Sequence, residues 1–291
     1  MKKTAFLFPG QGSQIVGMGL DFYQEYDVVR ELFDMAEEIS KIKISDLCFK
    51  GPMEDLTQTV NLQPAVTAVN LACLSAVEKE GVRPDMCAGH SLGEYSAMRA
   101  SDSVSPEDTF RMVFKRGIDE VAEIVDQVKK EGIVAIANHN AQKQIVITGS
   151  PGPVEKASSL AAAKGAKAIP LKVSGAWHSD LIKGAFDEFK DFIESIHFNT
   201  PQRPLIFNVT ADVEKDPDEI KSIMTRQLCS PVKWYDSMSK LMGKHIEIFA
   251  EVGPGKVLTG LLKKILPKDY PCRIFNISSM KALEQFLKET T

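Results

Sequence analysis

Residues 88–97, AGHSLGEYSA, decide how the chain folds. The preceding PDMCA is a short apolar run, the spacing Gly89-x-Ser91-x-Gly93 follows, and LGEYSAMRA continues as a helix. A buried strand turning sharply into a helix is the context in which a G-x-S-x-G serine is lifted clear of the backbone to act as a nucleophile. The two glycines allow the turn and close packing, while the helix start aims N–H groups and a positive dipole end at the serine. Ser91 is therefore the candidate nucleophile, and the N–H of Leu92 is one candidate oxyanion donor. The plainer alternative for Ser91 is a helix N-cap.

Outward from this point, short apolar runs alternate with amphipathic stretches, as α/β architecture requires. TAFLF (4–8) reads as a strand, and a helix is expected around 20–40. QPAVTAVNLACLSAVEKEG (63–81) reads as a helix closed by Gly81, and Pro106 opens another through Arg116. The chain then changes character. EVAEIVDQVKKEG, IVAIANHN, KQIVITGS, PVEKASSLAAAKGA and KAIPLKV give helix, strand, strand, helix and strand, which reads as a small inserted subdomain. The larger pattern resumes with a helix near 180–195, strand PLIFNV, helices near 218–228 and 234–243, strand HIEIFAEVG and a helix after GPGK. Residues after about Lys288 are expected to fray.

The 291 residues are 44% hydrophobic and 25% charged, a balance that places the chain among globular proteins. No run approaches the roughly 20 apolar residues of a membrane span, so no membrane association is expected. MKKTAFLFPGQG stops being apolar at Pro9 and lacks a small-residue cleavage site, so it reads as a strand and not as a signal peptide. Five cysteines without a CxxC pair suit a reduced, cytoplasmic protein. A net charge of −4 argues against a nucleic-acid partner. GQGSQIVGMG (10–19) lacks the third glycine of GxGxxG and the lysine of a P-loop. With no HExxH, EF-hand spacing or paired Cys/His set, no metal is expected.

A serine nucleophile needs an adjacent base, and the chain has five histidines. His90 is next in sequence, but neighbouring side chains diverge on so tight a turn. His197 and His245 fall at an expected surface helix end and a strand start, and His139 lies in the inserted piece. His178, in VSGAWHSDL, sits where a strand exits into a loop before a helix, a common place for catalytic bases. The residues alone make it the best-placed candidate and leave a structural role open.

Taken together, FPGQGSQ (8–14), LQPAV (62–66), GHSLGEYSA (89–97), FKRG (114–117), NHN and QIVITG (138–149), HSDL (178–181), RQLCSPVKW (226–234) and EVGPGKVLTGLLKK (251–264) resemble a known family. The chain is similar, over nearly its whole length, to the malonyl-CoA:acyl-carrier-protein transacylases of fatty-acid synthesis and the related acyltransferases of polyketide synthesis. The resemblance implies an α/β-hydrolase-like large domain with a central, mostly parallel sheet (1–118 and 177–291). It also implies an inserted small ferredoxin-like α+β subdomain (119–176). By the same resemblance Ser91 forms the acyl ester, His178 is its base, and the backbone carbonyl of Gln227 holds the imidazole. Gln11 and Leu92 supply the oxyanion N–H groups, Arg116 grips the malonyl carboxylate, and Gln63 and Trp177 border the substrate. On residues alone, Arg116 was one of three cations, with Arg111 and Lys115, open to a solvated role. Malonyl-CoA and an acyl carrier protein are the implied partners, with no cofactor beyond the CoA substrate, and a monomer is the default. Lys263 and Lys264, and less so Lys129 and Lys130, are candidates for a basic rim facing an acidic carrier.

The chain also departs from the pattern. RGIDEVAEIVDQVKKEG runs straight into helical periodicity, so the small subdomain reads as shortened, with three strands in place of four. Trp177 stands where malonyl-selective members carry Phe, and SDSV (101–104) replaces a glycine-containing turn. Rival functions are an acyl hydrolase acting on carrier proteins, a polyketide-pathway acyltransferase of different acyl preference, a general esterase and an inactive scaffold. Arg116 disfavours the hydrolase. The esterase would need a histidine near the C-terminus, where His245 runs into strand-like IEIFAEVG.

Overall fold

A computed structural model of the chain describes residues 2–127, 132–171 and 175–290. In chain order its elements are β1 (Thr4–Phe8), α1 (Leu20–Glu25), α2 (Asp27–Ser40), α3 (Ile44–Lys50), α4 (Met53–Thr57), α5 (Thr59–Lys79), β2 (Met86–Gly89), α6 (Gly93–Ala100) and α7 (Pro106–Gln127). There follow β3 (Val134–Ala141), β4 (Gln144–Gly149), α8 (Pro151–Ala163), a 3-10 segment (Asp180–Ala185), α9 (Phe186–Glu194), β5 (Leu205–Ile206) and α10 (Pro217–Gln227). The chain closes with α11 (Trp234–Gly243), β6 (Ile248–Val252), α12 (Val257–Ile265), β7 (Arg273–Ile277) and α13 (Met280–Thr290).

The main sheet has the order β5-β2-β1-β6-β7, and every neighbouring pair in it is parallel. Parallel strands are covered by helices on both faces, which is why TAFLF, MCAG and IFAEV are buried at every position. Alternate side chains feed two cores. Phe6, Phe8, Cys87 and Ala250 join residues of α2, α5, α6 and α7 on one face. Ala5, Leu7, Met86, Ala88 and Phe249 meet Trp234, Met238, Leu241, Leu258 and Leu262 of α11 and α12 on the other. Helix α5 is apolar all round because it is surrounded. By length and composition it could cross a membrane, yet most of it is buried inside the protein.

The expected strands TAFLF, PDMCAGHS, IVAIANHN, KQIVITGS and HIEIFAEVG are present: the first keeps its bounds, the third shifts by one residue to end at Ala141, and the others are trimmed at their ends. Others differ. The helix expected at 20–40 is broken at Tyr26, whose backbone is extended. PLIFNV pairs only at Leu205 and Ile206, an edge strand two residues long. The expected helix EVAEIVDQVKKEG is no separate element up to Gln127; it continues α7 without a break. Residues 128–131, Lys129 and Lys130 among them, lie outside the described part. KAIPLKV forms no strand over 167–171, and Lys172 and Val173 lie outside the described residues. Pro170 lacks the N–H that a central strand position needs. Among the described residues the small antiparallel sheet is therefore β3–β4 alone, flanked by α8. Past Lys288, where fraying was expected, α13 continues to Thr290, the last described residue, with Leu283 and Phe286 buried along it.

Candidate active site

Ser91 occupies the turn between β2 and α6 with φ of 51°, a left-handed conformation that L-residues rarely adopt. Such strain, on the order of 1–3 kcal/mol, persists only where the surroundings over-determine it. Here the Ser91 N–H donates to Asn208 Oδ1 at 2.7 Å, and Asn208 Nδ2 donates to the Gly89 carbonyl at 2.6 Å. The exit of β1 presses on the same turn. A Cβ on Gly93 would lie 2.0 Å from the Phe8 carbonyl oxygen. One on Gly10 would lie 2.6 Å from the His90 carbonyl oxygen and 3.4 Å from the Leu92 nitrogen. These contacts bring the Gly10–Gln11 turn alongside Leu92. Neither the Gln11 N–H nor the Leu92 N–H meets a protein acceptor among the described residues.

His178 lies 87 positions from Ser91 in sequence, and its Nε2 is 2.9 Å from Ser91 Oγ. The ring is held from behind by two carbonyls, Gln227 O at 3.0 Å and Ser230 O at 2.9 Å from Nδ1. Because both are acceptors only, Nδ1 carries the proton and Nε2 turns its lone pair to the serine. The backbone N–H of His178 is pinned as well, donating to Leu228 O at 2.9 Å. Burial, and then the positive charge of Arg116, push the imidazole pKa down to about 3. The other histidines are elsewhere: His90 Nε2 meets Asn140 Oδ1 at 2.6 Å, His139 packs on Tyr235, and His197 and His245 are exposed.

Arg116, on α7, is 2% exposed, and its Nη2 donates to Ser91 Oγ at 3.4 Å. Its Nε and Nη1 have no partner, and it makes no ion pair among the described residues. The guanidinium lies 4.5 Å from the Trp177 ring centroid and 5.6 Å from that of Tyr95, so aromatic faces hold the cation in place. Trp177 thus touches Arg116. Gln63 is buried on α5, a helix that packs against α6 and α7. Arg111 pairs with Asp108 and Lys115 with Glu188. Lys263 is exposed on α12, while Lys264 donates to Gln144 of β4 at 2.9 Å.

Residues 5–282 match the family model of the acyl transferase domain. The chain belongs to the acyl transferase family. Among curated relatives of this acyltransferase is the malonyl CoA-acyl carrier protein transacylase of Bacillus subtilis strain 168, 40% identical, with 99% of this chain and 98% of the relative covered. That alignment runs over 312 positions, more than this chain has, so the relative carries residues absent here. A polyketide-biosynthesis malonyl CoA-acyl carrier protein transacylase of the same organism is 39% identical over 89% of this chain and 96% of its own. Among solved structures, a malonyl-transacylase in complex with its type II polyketide-synthase acyl-carrier protein superposes with a TM-score of 0.91 at 31% identity, covering 99% of this chain and 100% of that one.

Two residues of the acyltransferase site went unpredicted, Asn208 and Glu94. Glu94 is fully buried on α6; its Oε1 accepts the Asn208 N–H at 2.6 Å and its Oε2 accepts the Gln227 side-chain amide. The same amide donates to the Ser91 carbonyl at 3.1 Å. Gln227 therefore works at both ends, its backbone on His178 and its side chain on the serine turn. Burial drives the Glu94 carboxyl up to about 7, against the downward pull of its two N–H donors and of Arg116. Glu94 stands inside the quoted GHSLGEYSA, but a glutamate on a helix of ordinary pattern gives no signal that it turns inward.

Proposed function

We propose that the chain moves a malonyl group from malonyl-CoA to the phosphopantetheine thiol of an acyl carrier protein through a malonyl ester on Ser91. The observation that carries this reading is Arg116, a buried cation in contact with the nucleophile whose Nε and Nη1 are unengaged. A guanidinium with spare planar donors is the natural receptor for a carboxylate. Placed there, the carboxylate end of a malonyl group brings its thioester carbonyl to Ser91. The names of the relatives point to the same acyl group and the same carrier.

In this mechanism Ser91 Oγ attacks the thioester carbonyl while His178 Nε2 takes its proton. The oxyanion of the tetrahedral intermediate is received by the N–H groups of Gln11 and Leu92, each worth on the order of 3 kcal/mol when preset for that charge. The proton leaves with the CoA thiol as the ester forms. In the second half the carrier thiol gives its proton to His178 and attacks the ester carbonyl, and the departing Ser91 Oγ takes that proton back from Nε2. Two neutral carbonyls behind the ring stabilise the imidazolium without an acid of the triad kind. A carboxylate on Arg116 compensates the charge that opposes protonation of His178, so a malonyl substrate makes the base more effective than an uncharged acyl group does. We also propose that residues 119–176 form the inserted subdomain between 1–118 and 177–291, that it shelters the ester from water, and that the protein acts as a cytoplasmic monomer.

Arg116→Ala tests the clamp. Loading of Ser91 from malonyl-CoA is expected to fall at least 100-fold in kcat/KM, while loading from acetyl-CoA falls less than tenfold. Equal losses with the two thioesters would make Arg116 structural and remove the basis for malonyl selection.

A further inference from the structure

Ser91 and His178 come from distant parts of the chain, yet one side chain lies a single hydrogen bond behind the supports of both. Glu94 Oε1 holds the backbone of Asn208, whose side chain clamps the Ser91 N–H and the Gly89 carbonyl. Glu94 Oε2 holds the Gln227 amide, which is bonded to the Ser91 carbonyl and whose own backbone carbonyl receives His178 Nδ1–H. We propose that ionised Glu94 is the positioning residue that keeps the nucleophile turn and the histidine support in register, so that a proton on Glu94 slows Ser91 and gives the pH profile an acid limb.

The argument is one of donors and acceptors. Both carboxylate oxygens face N–H groups, so a proton on either oxygen sets a donor against a donor. A proton on Oε1 faces the Asn208 N–H, which is fixed in the backbone. A proton on Oε2 faces the Gln227 amide, which can answer only by flipping, and the flip turns its oxygen toward the Ser91 carbonyl. Either way one support of a strained turn is lost, and Ser91 at φ 51° relaxes from its attacking position.

Few charges compete for the role. Arg116 faces Glu94 from α7 and favours its ionised form, and Tyr95 neighbours it on α6. The strands β1 and β2 carry no charged residue, and the buried residues of α5 are uncharged. His178, beyond Ser91, is held neutral by its burial and by the charge of Arg116.

The inference rests on the reading of Ser91 as nucleophile but not on the acyl group, and the experiment separates the two. A fluorophosphonate probe, which needs the serine turn and its base but no malonyl recognition, is used to measure the labelling rate of Ser91 from pH 5 to 9. In parallel, loading from malonyl-CoA is followed over the same range. The unmodified protein is expected to lose about tenfold in rate per pH unit below about 7, with both reagents. Glu94→Gln presents an amide donor to one of the two N–H partners. It is expected to label at least tenfold more slowly at pH 8 and to lose the acid limb, while Glu94→Asp, which keeps the carboxylate, retains a limb. Should Glu94→Gln fail to fold, as judged by circular dichroism, the midpoint of the limb in Glu94→Asp carries the test, an unmoved midpoint counting against the proposal. An unchanged acid limb in Glu94→Gln, or full activity at pH 8, overturns it. Failure of malonyl loading with normal probe labelling counts against the substrate reading alone.

Discussion

His178 and Glu94 are buried beside the same serine, and burial moves their titrations in opposite senses. The histidine falls from its ordinary 6.5 to about 3, so the unfolded chain binds the proton first and stability is lost as pH falls from 6.5. The glutamate rises from its ordinary 4.5 to about 7, so the folded chain binds the proton first and stability is lost as pH rises toward 7. Between pH 7 and pH 5 each amounts to about 2 kcal/mol, and the two nearly cancel. Single substitutions unmask them. On moving from pH 7 to 5, His178→Gln is expected to gain stability relative to the unmodified protein and Glu94→Gln to lose it, each by about 2 kcal/mol in urea unfolding. If both variants keep the parent's pH dependence, the two groups titrate near their ordinary values. At this scale the sequence pointed, through recognisable motifs, to four residues that the fold brings together: Ser91, His178, Arg116 and Gln227. It did not disclose Asn208 or Glu94, because their roles exist only once β5 and α10 arrive beside the serine turn.

Ser91 and the Gly10–Gln11 turn sit at two strand exits, and the spacing of these exits is set by backbone contact. Phe8, at the end of β1, comes so close to the start of α6 that position 93 has no room for a side chain. Gly93→Ala is expected to force the two elements apart, costing more than about 2 kcal/mol of stability and most of the Ser91 reactivity; urea unfolding and probe labelling measure the two effects. A variant as stable and as reactive as the parent contradicts the packing of β1 on α6. Strand–turn–helix around Ser91 was legible because apolar run, glycine spacing and helical periodicity agree there. The small subdomain was less so. KAIPLKV has the composition of a strand, yet among the described residues Ile169 and Leu171 are exposed and unpaired in any sheet, with a proline between them. The last unit, β7 and α13, was missed; RIFNI lies at the sheet edge and is only partly buried.

For the molecule as a whole, sequence pattern predicted α/β architecture and the family resemblance implied a mostly parallel sheet, and the five-stranded sheet is that arrangement. Strand order was not legible, since β1 pairs with β2 and β6 across about 80 and 240 positions and no local signal encodes such pairings. That order is what makes the site: β1 at the centre ends beside β2, so the Gly10–Gln11 turn and the serine turn open at the same edge. Ligands of parallel α/β sheets gather at this carboxyl end of the strands. The central claim is that these pieces form one acyl-transfer centre built on Ser91, and intact-protein mass spectrometry after mixing with malonyl-CoA tests it most directly. The account predicts a single malonyl adduct on the unmodified protein, none on Ser91→Ala, and its disappearance with stoichiometric malonylation when a phosphopantetheinylated acyl carrier protein is added. An unmodified protein after malonyl-CoA, or an adduct lost to water and never recovered on the carrier, would contradict it.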